Sequence, residues 1–323
     1  MKFGMLVLEK MQARSDKGGA LSRALSVLKW PLFVLCLYYL FSEVGGDQLV
    51  KVVSGYRVQD LLFVLFVSLF QYVSGALRLN YLTKYRAGFL VSFNATMLAL
   101  GLNNVLPGRA GELAKMVHIK SSKGIGLSSG AGAVFWERFF DVNILVLGSS
   151  FGLFKTDNPY WMLPILGFML AVWGGLFLLN RPVCRKKILQ LVPARFRLKC
   201  DEFIVGTVQS FKFRELFQLS LYTVLYWAAI FVFVYAIFNG LTDLNLSLQA
   251  VITILIVSSF AFALPGLPGG VGVMEASVVM TAGWFNVPQP DALGAALMLR
   301  FIQLVPTVLY ATVLMGVFRR RGR

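Results

Sequence analysis

Apolar runs of roughly membrane-spanning length alternate with short polar stretches along most of the chain, and two of those runs break in the same manner. In the first, an apolar segment reaches Asn103 and Asn104 and then reads Leu106-Pro107-Gly108-Arg109-Ala110-Gly111-Glu112. In the second, the text is Leu267-Pro268-Gly269-Gly270-Val271-Gly272-Val273-Met274-Glu275. Both run Leu-Pro-Gly, then a further Gly, then a Glu that opens the next helix. An unpaired backbone amide in hydrocarbon costs several kcal/mol, so a non-helical elbow at membrane depth must be buried in protein or line a wet cavity. Paired interruptions in two halves of a chain are the mark of a transporter's substrate site.

The runs themselves predict an all-α integral membrane protein. Full crossings are expected at about 24–44, 61–81, 127–154, 160–179, 216–238 and 291–317, and residues 89–120 and 246–285 are expected to form two re-entrant helix hairpins. Residues 89–106 are long enough to cross, since roughly 17–25 apolar residues suffice. A crossing there would carry Arg109, Lys115, Lys120 and Lys123 outward, against the rule that basic residues stay inside, whereas a hairpin returns them. The second hairpin region holds no Lys or Arg and is expected to enter from the other face. One hairpin from each side is the pattern of an inverted repeat.

Charge refines this layout. Of 323 residues, 57% are hydrophobic and 14% charged, with a mean hydropathy of +0.71, which excludes an ordinary soluble domain. The net charge of +16 therefore reads as topology and not as nucleic-acid binding. A basic segment at 1–23 and a basic tail at 319–323 place both termini in the cytoplasm of a bacterial-type inner membrane. Between a first membrane half at 24–179 and a second at 215–318, residues 180–214 form a basic linker interleaved with apolar residues and interrupted at Pro193. Such a linker suits an anionic inner leaflet. Arg78, Lys84 and Arg86 are counted among the inside charges. Cys36, Cys184 and Cys200 give no disulfide framework, and the first apolar span carries no cleavage site, so it is expected to be retained.

Ionisable residues inside spans cost about 2.5–3.5 kcal/mol each on insertion scales and are functional candidates for that reason. Glu137, Arg138 and Asp141 share one run, with the two acids four apart on one helix face and Arg138 able to pair with Asp141. Arg300 lies inside the last span and is expected to partner an acid. Glu112 and Glu275 open the helices behind the elbows, where a carboxylate meets free amides and the positive end of the dipole. The candidate substrate-binding set is Asn103, Asn104, Gly108, Arg109, Gly111, Glu112, Glu137, Arg138, Asp141, Gly269, Gly270, Gly272, Glu275 and Arg300. The glycines let backbone amides converge on a phosphate, and Arg109, Arg138 and Arg300 add full charges. A structural ion pair locking two helices is the competing reading for Glu137, Arg138 and Asp141. His118, the sole histidine, is expected at the surface. No nucleotide loop, metal cluster or cofactor motif is present, so neither catalytic nor metal residues nor a cofactor is expected.

Together, Asn104-x-x-Leu-Pro-Gly-Arg-x-Gly-Glu112, Glu137-Arg138-x-x-Asp141 and Leu267-Pro-Gly-Gly-Val-Gly-x-x-Glu275 resemble the lysylphosphatidylglycerol synthase transmembrane family over roughly residues 20–318. Characterised members move aminoacylated phosphatidylglycerol across the bilayer, and a soluble domain absent from these 323 residues makes the lipid. Other members stand alone or are fused to glycosyltransferases acting on polyprenyl-phosphate lipids. The resemblance implies a non-enzymatic lipid flippase, with membrane lipids as partners. Two alternatives remain: an accessory subunit of a separate synthase or glycosyltransferase, and an enzyme using Glu137 and Asp141 as acid and base. The oligomeric state stays open.

Overall fold

The computed structural model describes residues 57–106, 110–153, 162–208, 212–241, 244–263, 270 and 272–321. The expected first span and the outer turn at 155–159 lie outside them. Among the described residues every regular element is helical. In chain order these are α1 (Val58–Leu82), α2 (Phe89–Val105), α3 (Ala110–Lys123), α4 (Leu127–Leu153), α5 (Met162–Asn180), α6 (Pro182–Leu191), α7 (Ala194–Val208), α8 (Phe213–Tyr235), α9 (Leu248–Ala263), α10 (Val273–Gly283) and α11 (Gln289–Arg321). The chain is an all-α membrane protein.

Length sorts the helices. Three of them, α1, α8 with the π-helical turn Ala236–Leu241 that continues it, and α11, are long and apolar enough to cross a membrane, and the pair α5–α6, bent by 102° at Arg181, makes a fourth if counted as one span. At 27 residues α4 reaches about 40 Å, also sufficient, but Glu137, Arg138 and Asp141 interrupt its apolar text. By contrast α2, α3, α9 and α10 measure only about 25, 21, 24 and 17 Å, short of a hydrocarbon core of about 30 Å. Each short pair packs along itself, α2 on α3 and α9 on α10, and then against the long helix α11.

Polar atoms fix the irregular points. The π-helical turn after α8 is clasped by Asn239, whose Nδ2 donates to Leu246 O at 2.9 Å while its Oδ1 accepts from the Leu246 amide at 2.6 Å. Between α6 and α7 the helix breaks at Pro193, as the sequence predicts, because proline brings no N–H and clashes with the preceding turn. Arg197 covers the carbonyls left there, donating to Val192 O at 2.8 Å and Gln190 O at 2.9 Å. In α11, Pro306 likewise leaves the Ile302 carbonyl without its usual donor.

Two apolar layers enclose what lies between them. One gathers Val64 and Val67 of α1 with Ile230, Phe233 and Val234 of α8 and with α9, α10 and α11. The other gathers Leu79 and Leu82 of α1, Leu219 of α8 and the aromatic face of α4, Trp136, Phe139 and Phe140. Both α1 and α8 thus pass from one layer to the other. The gap along α1, from Val67 to Leu79, is about 18 Å. Outside, Leu62, Phe63, Phe66 and Phe70 of α1 and Phe217, Leu221 and Leu225 of α8 are all more than half exposed or close to it, a continuous apolar belt that water would not tolerate and lipid covers.

Candidate functional site

The gap between the layers is a cavity of about 300 Å³. Its wall includes Gln71, Tyr72 and Arg78 of α1, Asn103 and Asn104 of α2, Glu112 and Lys115 of α3, Glu137, Arg138 and Asp141 of α4, Tyr226 and Trp227 of α8, and Gln303 and Thr307 of α11.

Six charges run through this wall as one alternating chain. Arg78 Nη1 donates to Asp141 Oδ1 at 2.6 Å, and Arg138 Nη1 lies 3.2 Å from Asp141 Oδ2. Arg138 Nη2 lies 3.3 Å from Glu112 Oε1, Lys115 Nζ 3.2 Å from Glu112 Oε2, and Lys115 Nζ 2.7 Å from Glu137 Oε2. The order is Arg78, Asp141, Arg138, Glu112, Lys115, Glu137, and the charges cancel. The ends are sealed and the middle is not. Side chains at the ends are 2% (Arg78) and 3% (Glu137) exposed, whereas Arg138 is 41% and Glu112 14% exposed. Burying so many charges is tolerable only because each finds a partner of opposite sign at contact distance. Neutral groups complete the setting: Trp227 Nε1 donates to Asp141 Oδ1 at 2.9 Å, and the Arg78 guanidinium lies 4.4 Å from the centre of the Tyr226 ring. Gln71 Oε1 and Thr96 Oγ1, also in the wall, are buried without a hydrogen-bond partner among the described residues.

The sequence of each element explains the placement. On α1, Gln71, Gly75 and Arg78 recur at helical spacing and form a polar stripe inside an apolar span. On α3, Glu112 and Lys115 are one turn apart, and on α4 Glu137 and Asp141 likewise. The first elbow is tight. Gly111 packs against the Ala99 carbonyl of α2, and a Cβ there would stand 2.6 Å from Asn103 Oδ1. Its amide donates to that Oδ1 at 2.9 Å, so Asn103 caps α3. Asn104 Nδ2 donates to Thr307 Oγ1 at 3.2 Å and ties the elbow to α11.

The second elbow is built differently. Glu275 Oε2 accepts the Gly272 amide at 2.8 Å, closing the first turn of α10, and its Oε1 accepts from Arg300 Nε of α11 at 2.5 Å. Gly272 holds φ at +83°, a conformation open to glycine at little cost. Glu275 is buried and Arg300 nearly so. Neither lines the cavity, and Gly270 and Gly272 do not line it either; Met274 and Leu299 stand in the wall at that end.

The candidate set therefore divides. Asn103, Asn104, Glu112, Glu137, Arg138 and Asp141 come together around the cavity, with Gly111 shaping its elbow. Glu275, Arg300 and the glycines near them form a separate pair, while Gly108, Arg109 and Gly269 lie outside the described residues. The Arg138–Asp141 pairing and the expectation that Arg300 partners an acid both agree with the geometry. Two participants went unselected. Arg78, counted with the cytoplasmic charges, is among the most buried of the described side chains, and Lys115, treated as a topological charge, bridges two carboxylates. His118 is buried on α3 and not at the surface, because it follows Ala114 and Lys115 on the helix's inner face.

Residues 20–311 match a family described as the lysylphosphatidylglycerol synthase TM region. A UPF0104 membrane protein of Methanocaldococcus jannaschii is 22% identical over 232 residues, covering 68% of this chain and 94% of the relative.

Proposed function

Since the chain belongs to the lysylphosphatidylglycerol synthase transmembrane family, we propose that its cavity carries the headgroup of a phosphate-bearing lipid across a bacterial-type inner membrane. The observation that carries this reading is the uneven sealing of the ionic chain. Its ends, Arg78 and Glu137, are sealed, while the central link from Arg138 to Glu112 joins the two most exposed members of the chain. A headgroup can enter that link at small cost, because each partner keeps a second ion of opposite sign, Asp141 for Arg138 and Lys115 for Glu112. Arg138 then receives phosphate oxygens, as a guanidinium does well. Glu112 receives an amino group where the headgroup has one, as in aminoacylated or amine-bearing phospholipids. Gln71 Oε1 and Thr96 Oγ1, without partners among the described residues, add hydrogen-bonding capacity for headgroup donors.

No chemistry on the lipid is needed in this account. Glu137 and Asp141 are each held by a cation at 2.7 and 2.6 Å, which supports a structural role over that of an acid and base pair. The proposed topology has both termini cytoplasmic, six crossings, α2–α3 entering from inside and α9–α10 from outside, with 180–214 on the inner leaflet. The short lengths of those four helices support it. Single cysteines at Asn104 and Val271 are expected to react with impermeant thiol reagents from opposite faces, and labelling of both from one face removes the inverted repeat.

Function is tested in reconstituted vesicles with headgroup-labelled phosphatidylglycerol or its aminoacylated form and an impermeant quencher. Loss of inner-leaflet protection for these lipids, and not for a phosphate-free glycolipid, is the expected result. Equal movement of both classes rejects the phosphate site.

A further inference from the structure

On α4, Arg138 and Val142 line two cavities at once. They are one turn apart and form a ridge. Helical periodicity puts Glu137, Asp141 and Leu145 on the polar side of that ridge and Phe135, Phe139 and Val146 on the opposite side. There a second cavity, of about 220 Å³, lies between α4 and α5, with Phe168, Met169 and Val172 as its far wall. Its surface is apolar. The one amide in it, Asn143, has both ends engaged, Nδ2 donating to Phe139 O at 2.7 Å and Oδ1 accepting from Trp173 Nε1 at 2.9 Å. Arg138 is therefore the charged group on the edge of an otherwise hydrocarbon-like groove.

A glycerophospholipid has the same order of parts, with a polar head, then a phosphate, then glycerol and hydrocarbon. A guanidinium holding that phosphate must have room for the head on one side and for the chains on the other, and the two cavities on either side of Arg138 provide it. We propose that the groove between α4 and α5 holds an acyl chain of the lipid whose head occupies the polar cavity, with Arg138 at the junction and Val142 as the divider. This rests on the transport reading above and adds to it where the hydrocarbon of the lipid lies.

The test uses the full chain in vesicles of phosphatidylethanolamine and phosphatidylglycerol, doped with phosphatidylglycerol that carries a diazirine in one acyl chain. After illumination, adducts are mapped by peptide mass spectrometry, and lipid movement is followed in parallel with a headgroup label. Adducts concentrated on residues 135–146 and 168–172, and reduced several-fold along with transport by Met169→Trp, are the expected result. Adducts spread evenly over lipid-facing residues such as Phe63, Phe66 and Phe217, and unaltered by Met169→Trp, overturn the groove even if transport persists. Disulfide trapping of two copies through Phe168→Cys, undiminished by added lipid, also overturns it by making the groove an interface. Should the wild-type protein move no lipid, the transport reading fails, and the adduct map of the wild-type chain alone decides the groove.

Discussion

The two elbows use one device for two ends. In each, a glutamate is the third residue of the second helix and meets an arginine of the helix that follows, Glu112 with Arg138 at 3.3 Å and Glu275 with Arg300 at 2.5 Å. They differ in what surrounds the glutamate. At the second elbow Glu275 takes the Gly272 amide itself, so both its oxygens are committed. At the first, Asn103 takes the Gly111 amide, and Glu112 instead bridges Lys115 and Arg138 at the cavity wall. Glu112 thus stands in an ionic network on the cavity wall, whereas Glu275 stands outside the cavity in a pair with Arg300. The lesson is that a shared Leu-Pro-Gly and Glu pattern does not assign a shared role; the ions packed around the glutamate do.

This contrast can be broken by substitution, and the largest effect is expected at the node of the ionic chain. Asp141→Ala removes the partner that Arg78 meets at 2.6 Å in a nearly sealed site, and stranding a buried charge costs about 3–5 kcal/mol. The variant is expected to melt far below wild type in detergent or to fail to accumulate. Near-normal melting would mean that water reaches Arg78 and that the chain is not sealed at its ends.

Next come the two glutamates as a matched pair. Glu275→Gln loses a charge-assisted bond to Arg300 and is expected to lower stability by about 2 kcal/mol, read as a shift in thermal or denaturant midpoint. Glu112→Gln, at the accessible middle of the chain, is expected to cost less than half as much stability but to slow lipid movement markedly. Reversal of that order, or equal stability losses, would erase the distinction between a structural and a functional elbow. A smaller effect is expected for Asn103→Ala, which uncaps the Gly111 amide and costs about 1 kcal/mol in the same melts. No change would show that water caps α3 as well as Asn103 does.

Much of the frame was legible because apolar run length, proline and loop charge are local signals. The helical character of residues 89–105 and 110–123, the break at Pro193 and the long last helix all follow from them. The cavity was legible in part. Glu137, Arg138 and Asp141 stood out as charges inside a run, whereas Arg78 and Lys115 sit near helix ends, where the positive-inside rule offers a ready explanation for any basic residue. The signal that could have recovered them was periodic. Gln71, Gly75 and Arg78 share a face of α1, and Glu112 and Lys115 share one of α3. What no local pattern encodes is the split between the elbows, because only the packing of α4 on α3 brings Arg138 and Glu137 to Glu112 and Lys115 at the cavity wall, while α11 brings Arg300 to Glu275 away from it.

The central claim is that Arg138, and not its counterpart Arg300, meets the lipid phosphate. It is tested most directly by comparing Arg138→Ala with Arg300→Ala in reconstituted vesicles, using headgroup-labelled phosphatidylglycerol, an impermeant quencher and protein shown to be folded by its elution profile. A hydrogen bond to a charged group contributes about 1.5–3 kcal/mol, so the account predicts a loss of roughly ten- to a hundredfold in rate for Arg138→Ala. Arg300→Ala, once corrected for the amount of folded protein, is predicted to stay close to wild type. Equal losses in the two variants, or a greater loss for Arg300→Ala, would contradict it.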